Sequence, residues 1–268
     1  MPKIELTPAL RQEYENLFNS CIVRPENIQV VDDIVEKIKT NKNRYLGVSK
    51  FMGIPWYFIA VIHNMESGMN FTKHLHNGDP LTARTVQVPA GRPRQGNPPF
   101  TWEESAVDAL TLRKIGASTD WSLSGMLYQM EGYNGWGYRL YHAHVLSPYL
   151  WGFSNHYTSG KYVKDGTWSD TAVSKQCGTA VVLRRLAEKG IIEFTDQPAP
   201  KVNERPLIVS YSATKPTDAT IIKQGEDLQR WLNTYPGIFV KIDGWAGEKT
   251  SDAFKKVTGI FLPGDPRV

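Results

Sequence analysis

The apolar segment at residues 54–66, IPWYFIAVIHNME, most limits what this chain can fold into. Pro55 suits the first position of a helix, because its missing N–H would have no partner there. Residues 56–66 are apolar on nearly every face, which is typical of a helix in the centre of a core. Ser67 and Gly68 follow at once. The sequence therefore predicts a buried central helix with a carboxylic acid, Glu66, at its C-terminal end.

Composition places the chain among ordinary globular proteins. Its 268 residues are 41% hydrophobic, enough for a full core in one large domain or in one domain and a small module. No run approaches the roughly 18 apolar residues needed to cross a bilayer, so we expect no membrane insertion. The N-terminus is amphipathic and mixed in charge, unlike a signal peptide, and we expect synthesis in the cytoplasm without an export signal.

Charge and cysteine content exclude several classes of partner. The net charge of +4 comes without a polybasic tail or a basic stripe, which disfavours nucleic acid and equally suits an anionic polymer such as a cell wall. Cys21 and Cys177 lie far apart, so we expect two unpaired buried thiols and neither a disulfide framework nor a zinc knuckle. Nothing in the sequence calls for a cofactor, and we expect a monomer.

Hydrophobic periodicity predicts a mostly α (α+β) fold. Helical patterns occupy residues 8–18, 25–39, 102–114, 119–131 and 171–189. Two short alternating segments joined by Asn77-Gly78-Asp79-Pro80 predict a small β-hairpin at residues 71–88.

Proline content predicts a domain boundary near residue 195. Residues 196–220 are rich in proline and lack a helical period, which indicates an extended connector. The expected organisation is a large domain at residues 1–195, the connector, and a compact unit with two helices at residues 221–268.

A carboxylate in the position of Glu66 is suited to acid catalysis. It faces the negative end of the helix dipole, and an apolar surrounding solvates its charge poorly. Both effects raise its pKa, so that it keeps a proton with which to protonate a departing glycosidic oxygen. The alternative is that Glu66 points outward from a frayed helix end and has no chemical role.

Two motifs carry a family resemblance: HNMES closing the buried helix, and EGYNGWGYR closing a later one. Together with the intervening turn they resemble the goose-type lysozyme and lytic transglycosylase superfamily. The resemblance implies that Glu66 is the catalytic acid and that Tyr133 and Asn134 shape the sugar site, with Trp136 beside them. Goose-type enzymes place aspartates in the corresponding hairpin, which makes Asp79 the candidate second catalytic group; the alternative is an ordinary turn aspartate.

The C-terminal segment resembles a second family. DLQRWLN at residues 227–233, followed by DGWAGEKTSDAF at residues 243–254, is similar to the peptidoglycan-binding domain found beside many wall hydrolases. The resemblance implies a module that tethers the enzyme to its polymer. The alternative is a small helical tail that only packs on the main domain.

The resemblances together imply an endolysin-like muramidase: a lysozyme-like helical domain, with a small β-hairpin, that cleaves the β-1,4 bond between N-acetylmuramic acid and N-acetylglucosamine in bacterial peptidoglycan. It would reach the wall by phage-type release or non-classical export. Four alternatives stay open: a lytic transglycosylase giving 1,6-anhydro products, a chitinase or chitosanase, a zinc amidase or peptidase, and a non-catalytic wall-binding protein. The zinc site would use His63, His74 and His76 together with Glu66 and Asp79, but no H-E-x-x-H motif is present, so we expect no metal.

Overall fold

The protein is mostly helical. The computed structural model describes residues 4–164, 166–194, 196–197 and 206–268. Over these ranges the chain forms eleven α-helices and one two-stranded antiparallel sheet. The prediction of a mostly α fold with one small hairpin is therefore confirmed, although the hairpin lies elsewhere in the chain.

The chain divides into two compact units. The first consists of Met1–Tyr14 and Val23–Arg185, and the second of Glu15–Ile22 and Leu186–Val268. The helices are α1 Pro8–Asn19, α2 Ile28–Thr40, α3 Lys42–Met52, α4 Trp56–Ser67, α5 Trp102–Leu112, α6 Leu123–Asn134, α7 Gly137–Tyr141, α8 Pro148–Trp151, α9 Thr179–Glu188, α10 Ala219–Leu232 and α11 Glu248–Thr258. A 3₁₀ turn, Pro25–Asn27, precedes α2, and the strands are β1 Lys161–Lys164 and β2 Thr167–Ser169.

Helix α4 is the core helix of the first unit. Residues 58–62 are completely buried, as the apolar sequence predicts. The helix ends because Gly68 adopts a left-handed conformation, with φ of 62°, and its N–H bonds to the Asn64 carbonyl at 3.0 Å. The Met69 N–H bonds back to the His63 carbonyl at 3.2 Å, which completes a glycine-terminated helix end. Glu66 is thereby fixed in the last turn.

No single helix among the described residues is long and apolar enough to cross a bilayer. Within the described part of the chain, only α3 and α4 taken together reach that length and composition, and the chain bends by 117° between them.

The predicted hairpin at residues 71–88 is wrong. This segment contains a single antiparallel bridge, between Lys73 and Pro80, and no strand. The reason is that its backbone donors find other partners: the Asp79 carboxylate accepts from the N–H groups of Val86 and Gln87, and Thr85 pairs with Arg92. The predicted turn does form, since the His74 N–H bonds to the Asp79 carbonyl at 2.7 Å.

The observed sheet pairs β1 with β2, with Tyr162 opposite Trp168. Aromatic packing supports this short hairpin. The ring of His142 stacks on Trp168 with centroids 3.5 Å apart and planes 7° from parallel, and Tyr138 meets both strand aromatics edge to face.

The C-terminal part of the second unit is organised by two buried amides, one in α10 and one in the residue that follows it. Gln229 accepts from the N–H groups of Asp243 and Gly244 and donates to the Asp243 carboxylate, while Asn233 exchanges two hydrogen bonds with Val240. A cluster of apolar side chains fills the space between α10 and α11. The L-Q-x-x-L-N motif therefore fixes the turns that follow it.

The predicted connector at residues 196–220 falls partly outside the described residues, which include 196–197 and 206–220. Helix α10 begins at Ala219, within that range. The proposed limits of the large domain and the module stay predictions.

Candidate functional site

Glu66 lies at the C-terminal end of α4 and is half-buried. Its Oε1 accepts a hydrogen bond from the hydroxyl of Tyr149 at 2.8 Å. Tyr149 belongs to the short helix α8, 83 residues further along the chain. The acid is therefore held by a neutral donor from a distant element.

The pKa of Glu66 lies above its ordinary value of 4.5. Burial is the largest cause, because the low-dielectric surrounding disfavours the carboxylate. The Tyr149 hydrogen bond and the positive charge of Arg113 act in the opposite direction and limit the increase. The site thus favours a protonated acid but keeps groups that stabilise the carboxylate once the proton has left.

The segment before α9 fixes Tyr149 and the end of α4 together. Thr179 Oγ1 donates to the Tyr149 carbonyl at 3.1 Å, and Gln176 Nε2 donates to the Met65 carbonyl at 3.4 Å. Gly178 packs so tightly on α8 that an added Cβ would lie 2.1 Å from the Leu150 carbonyl oxygen. No other residue type fits there without displacing the backbone that carries Tyr149.

Tyr133 and Arg113 complete the cluster around the acid. Tyr133 is buried on α6, and the negative charge of Glu66 contributes to raising its pKa, after burial. The guanidinium of Arg113, at the end of α5, lies 3.7 Å from the centroid of the Tyr133 ring, and its Nη1 donates to the Tyr133 carbonyl at 2.7 Å. We call Glu66, Tyr149, Tyr133 and Arg113 the acid cluster.

Asn134 and Trp136 do not contribute to the acid cluster through any contact seen among the described residues. Asn134 is the exposed last residue of α6. Trp136 packs back on α6, with its ring 4.9 Å from that of Tyr128 and its Cζ2 3.0 Å from where a Cβ on Gly132 would lie. Of the three predicted sugar-site residues, the structure brings Tyr133 alone to Glu66; roles for the other two stay predictions.

Asp79 lies in the turn next to the end of α4, since a Cβ added to its neighbour Gly78 would lie 3.5 Å from the Glu66 carbonyl oxygen. Its Oδ2 accepts from Val86 N–H at 2.9 Å, Asn77 Nδ2 at 3.0 Å and Gln87 N–H at 3.1 Å. Burial would raise the pKa of Asp79, but these hydrogen bonds outweigh it and lower the pKa below 3.8. Asp79 is thus an ionised carboxylate that holds its loop in place through these hydrogen bonds. A chemical role for Asp79 stays a prediction.

The three histidines of the rival zinc site are each bonded to other protein groups, although the rings of His74 and His76 lie only 5.7 Å apart. His63 is buried between aromatic rings, bonded to the Tyr45 hydroxyl at 3.1 Å, and burial lowers its pKa to about 4. His74 Nε2 donates to the Ala83 carbonyl, and His76 Nε2 donates to Asp108. Across the part of the chain that the structure describes, no group of three or more His, Cys, Asp or Glu side chains is placed to hold a metal ion.

Glu131 is a second buried carboxylate, and it differs from Glu66 in its partners. Its Oε2 accepts from the Tyr14 hydroxyl at 2.5 Å and from Arg139 Nε at 2.8 Å. Burial raises its pKa, opposed first by the charge of Arg139. Glu131 is therefore a member of a buried ion pair, whereas the direct partner of Glu66 is an uncharged phenol.

Sequence reasoning missed Tyr149 and Arg113. Neither residue stands in a motif, and both reach Glu66 only through tertiary packing. A weak signal was available for Tyr149, because SPYLW at residues 147–151 begins with a helix-starting Ser-Pro pair and continues with large side chains that need burial.

Comparison of the chain with models of known protein families, with curated proteins and with solved structures found no match. The functional assignment therefore rests on the motifs and the site geometry.

Proposed function

We propose that this protein is a muramidase that cleaves the glycan strand of bacterial peptidoglycan with Glu66 as the general acid. The observation that carries the proposal is the state of Glu66: a half-buried carboxyl at the end of the core helix, with a raised pKa and a neutral hydrogen-bond donor. Glycoside hydrolysis needs a carboxylic acid that stays protonated near neutral pH.

In the proposed reaction Glu66 donates its proton to the oxygen between N-acetylmuramic acid and N-acetylglucosamine. As the bond breaks, positive charge develops on the muramic acid ring and negative charge on Glu66. The Tyr149 hydroxyl, 2.8 Å from Oε1, and the guanidinium of Arg113 stabilise the new carboxylate. Attack of water on the sugar C1 then gives a reducing muramic acid end.

A lytic transglycosylase is the second candidate, and the contacts of Asp79 favour it. Hydrolysis benefits from a second carboxylate that orients water, but three hydrogen bonds to Oδ2 fix the Asp79 carboxylate to its own loop, which leaves Oδ1 for that role. If no group orients water, the C6 hydroxyl of the muramic acid attacks C1, returns its proton to the Glu66 carboxylate and gives the 1,6-anhydro product. Both reactions use the same acid.

The test compares the wild-type protein with Glu66→Gln on purified peptidoglycan. Gln keeps the shape and accepts the Tyr149 hydrogen bond but has no proton to donate, so glycan cleavage should fall by about 100-fold or more. Glu36→Gln, at an exposed site on α2, is the matched control and should cleave normally. Mass spectrometry of the products separates reducing ends from 1,6-anhydro ends. Peptide cleavage that survives Glu66→Gln would overturn the proposal in favour of an amidase or peptidase.

We also propose that α10, α11 and the turns between them form a wall-binding module. The support is the L-Q-x-x-L-N motif and the way Gln229 and Asn233 fix the turns after α10. A tether of this kind raises the local concentration of an insoluble substrate without taking part in bond cleavage.

A further inference from the structure

One side of helix α3 exposes apolar side chains to solvent. Phe51 is 77% exposed and Leu46 is 39% exposed. Leu46 and Lys50 are four residues apart, as are Gly47 and Phe51, so these residues form two adjacent rows on the same side of the helix. We call Leu46, Gly47, Lys50 and Phe51 the α3 face. The face lies on the opposite end of the sequence motif from Glu66 and takes no part in the proposed acid chemistry.

The turn after α3 fixes this face on the outside of the fold. Gly53 adopts a left-handed conformation, with φ of 67°, and its N–H bonds to the Ser49 carbonyl at 2.9 Å. The Ser49 hydroxyl donates to the Ile54 carbonyl at 2.6 Å. A Cβ added to Gly53 would lie 2.7 Å from the Cβ of Ala117, so the turn packs directly on a neighbouring segment. The end of α3 is therefore held in place with Phe51 outside the core.

Gly47 has no packing role within the described chain. A Cβ added at this position meets no atom within 4 Å. Alanine would stabilise the helix relative to glycine, because glycine loses more conformational freedom on folding. Packing inside the fold therefore does not account for the glycine, whereas close approach of an outside surface to the helix backbone does.

The charge of this region defines the chemistry of such a surface. Residues 37–65 contain five lysines or arginines and no aspartate or glutamate. Two of these cations pair with acids from α2 and α5. The other three make no ion pair within the part of the chain that the structure describes: Lys37, Lys42 and Lys50. The excess positive charge favours an anionic partner and opposes contact between two copies of the same face.

We infer that the α3 face binds the surface of a bilayer that contains anionic lipid. Phe51 and Leu46 enter the boundary between headgroups and acyl chains, and Lys50 pairs with the lipid phosphates. An anionic wall polymer would supply negative charge but no apolar phase for Phe51. The contact is peripheral and needs no membrane span.

An aromatic residue and a lysine lie together beside this face. Lys42 Nζ lies 4.8 Å from the centroid of the Trp56 ring. Tryptophan is enriched at membrane–water interfaces, where lysine keeps its charge in water while its stem covers apolar surface. This pair therefore suits the rim of a membrane contact.

The test is sedimentation of the full chain with two kinds of vesicle: equal parts phosphatidylglycerol and phosphatidylcholine, or phosphatidylcholine alone. The anionic vesicles should bind about tenfold more tightly, and salt should weaken this binding because it screens the lysines. Phe51→Ser should weaken binding about tenfold by removing apolar contact, and Lys50→Glu about tenfold by reversing a charge. Both sites are exposed, so both variants should keep the wild-type circular dichroism spectrum.

Val88→Ser, at a 91% exposed site, is the control for a lost apolar side chain, and Lys164→Glu on β1 is the control for a reversed charge. Both controls should bind vesicles like the wild type. Equal binding to the two vesicle types, binding to neither, or wild-type binding by either α3 variant would overturn the inference. A wild-type dimer that Phe51→Ser dissociates, without vesicle binding, would overturn it in favour of a second copy of the chain. The vesicles contain no peptidoglycan, so the result does not depend on the proposed cleavage by Glu66.

Discussion

At the scale of single residues, Glu66 and Glu131 show how the partners of a buried carboxylate decide its use. Both have a pKa raised by burial. Glu131 meets Arg139 directly, whereas Glu66 meets the uncharged hydroxyl of Tyr149. A buried acid without a direct cationic partner keeps its proton more readily, which is the property that acid catalysis requires.

Replacing Glu66 by Gln should stabilise the fold near neutral pH. A carboxyl whose pKa is higher in the folded than in the unfolded state stabilises the fold while it is protonated. This stabilisation is complete below the pKa of the unfolded state and is lost as the pH rises through the pKa of the folded state. The contribution of Glu66 to the stability of the wild type therefore falls between pH 4 and pH 8, and the Glu66→Gln variant lacks this loss. We expect the melting temperature of the variant to be a few degrees higher than that of the wild type at pH 8, since each kcal/mol of unfolding free energy corresponds to about 2–4 °C. This difference should shrink toward pH 4. A lower melting temperature for the variant at pH 8 would contradict this.

Replacing Glu131 by Gln should have the opposite effect on stability. The change removes the carboxylate that Arg139 contacts at 2.8 Å and leaves its contact with Glu13 at 2.9 Å. Breaking a buried ion pair from one side typically destabilises by about 3–5 kcal/mol, and because the Glu13 carboxylate remains we expect a loss of about 1–3 kcal/mol. Urea unfolding at pH 7 would measure the loss, and equal stability of the Glu131→Gln variant and the wild type would count against the ion pair.

Removing the Tyr149 hydroxyl should shift the pH dependence of cleavage. The hydrogen bond from Tyr149 lowers the pKa of Glu66, so Tyr149→Phe should raise that pKa further. Because the acid must be protonated to act, the alkaline limb of the pH–rate profile should move to higher pH, with a lower maximal rate. Tyr141→Phe, at a 71% exposed site on α7, is the control. An alkaline limb that moves to lower pH would show that Tyr149 acts in another way.

At the scale of secondary-structure elements, the parts predicted from the sequence are those with local causes. Helix α4 follows from its apolar run, the Pro55 start and the Gly68 stop, and Glu66 follows from the same segment. Helix α3 was missed because its sequence, KNRYLGVSKFM, is polar and includes Gly47. The prediction of a hairpin at residues 71–88 was wrong because the Asp79 side chain accepts hydrogen bonds from backbone N–H groups that a strand would have used. The alternation of polar and apolar residues in a sequence does not show whether a side chain will compete for these groups.

The acid cluster combines residues from four helices or helix ends, and this explains why only part of it was predictable. Glu66 and Tyr133 stand in recognisable motifs. Tyr149 and Arg113 approach them only after α8 and the end of α5 have packed in place. The hairpin at β1 and β2 had a local signal that went unused, since an Asp-Gly pair stands between Tyr162 and Trp168.

The loop that Asp79 anchors provides a test of whether that residue is structural or catalytic. Asp79→Asn weakens three hydrogen bonds to an ionised acceptor, which should destabilise the protein by about 1–3 kcal/mol. It should also speed tryptic cleavage after Arg84 and Arg94, neither of which precedes a proline. A variant that keeps wild-type stability and protease resistance but loses hydrolysis would instead assign Asp79 to the chemistry.

At the scale of the whole molecule, we expect binding to the wall and cleavage of the glycan to reside in different parts of the chain. Gly225 of α10 packs so closely on the turn after it that an added Cβ would lie 2.1 Å from the Gly244 carbonyl oxygen. Gly225→Val should therefore disrupt the proposed wall-binding module.

We expect the Gly225→Val protein to sediment poorly with insoluble peptidoglycan and to retain cleavage of soluble glycan fragments. Gly47→Ala is the control, because the added methyl at this helical site meets no atom within 4 Å and should be neutral or stabilising by up to about 1 kcal/mol. Unchanged sedimentation of a Gly225→Val protein whose C-terminal unit has lost its structure would argue against the tether.

We propose that the fold keeps a proton on Glu66 at a pH where an exposed glutamate has lost it. An NMR titration of the ¹³C-labelled side-chain carboxyl carbons of glutamate in the full chain tests this, with Glu66→Gln used to assign the Glu66 signal. We predict a midpoint for Glu66 clearly above its ordinary pKa of 4.5. A midpoint at or below 4.5 would contradict the account, because Glu66 would then be a carboxylate with no proton to donate.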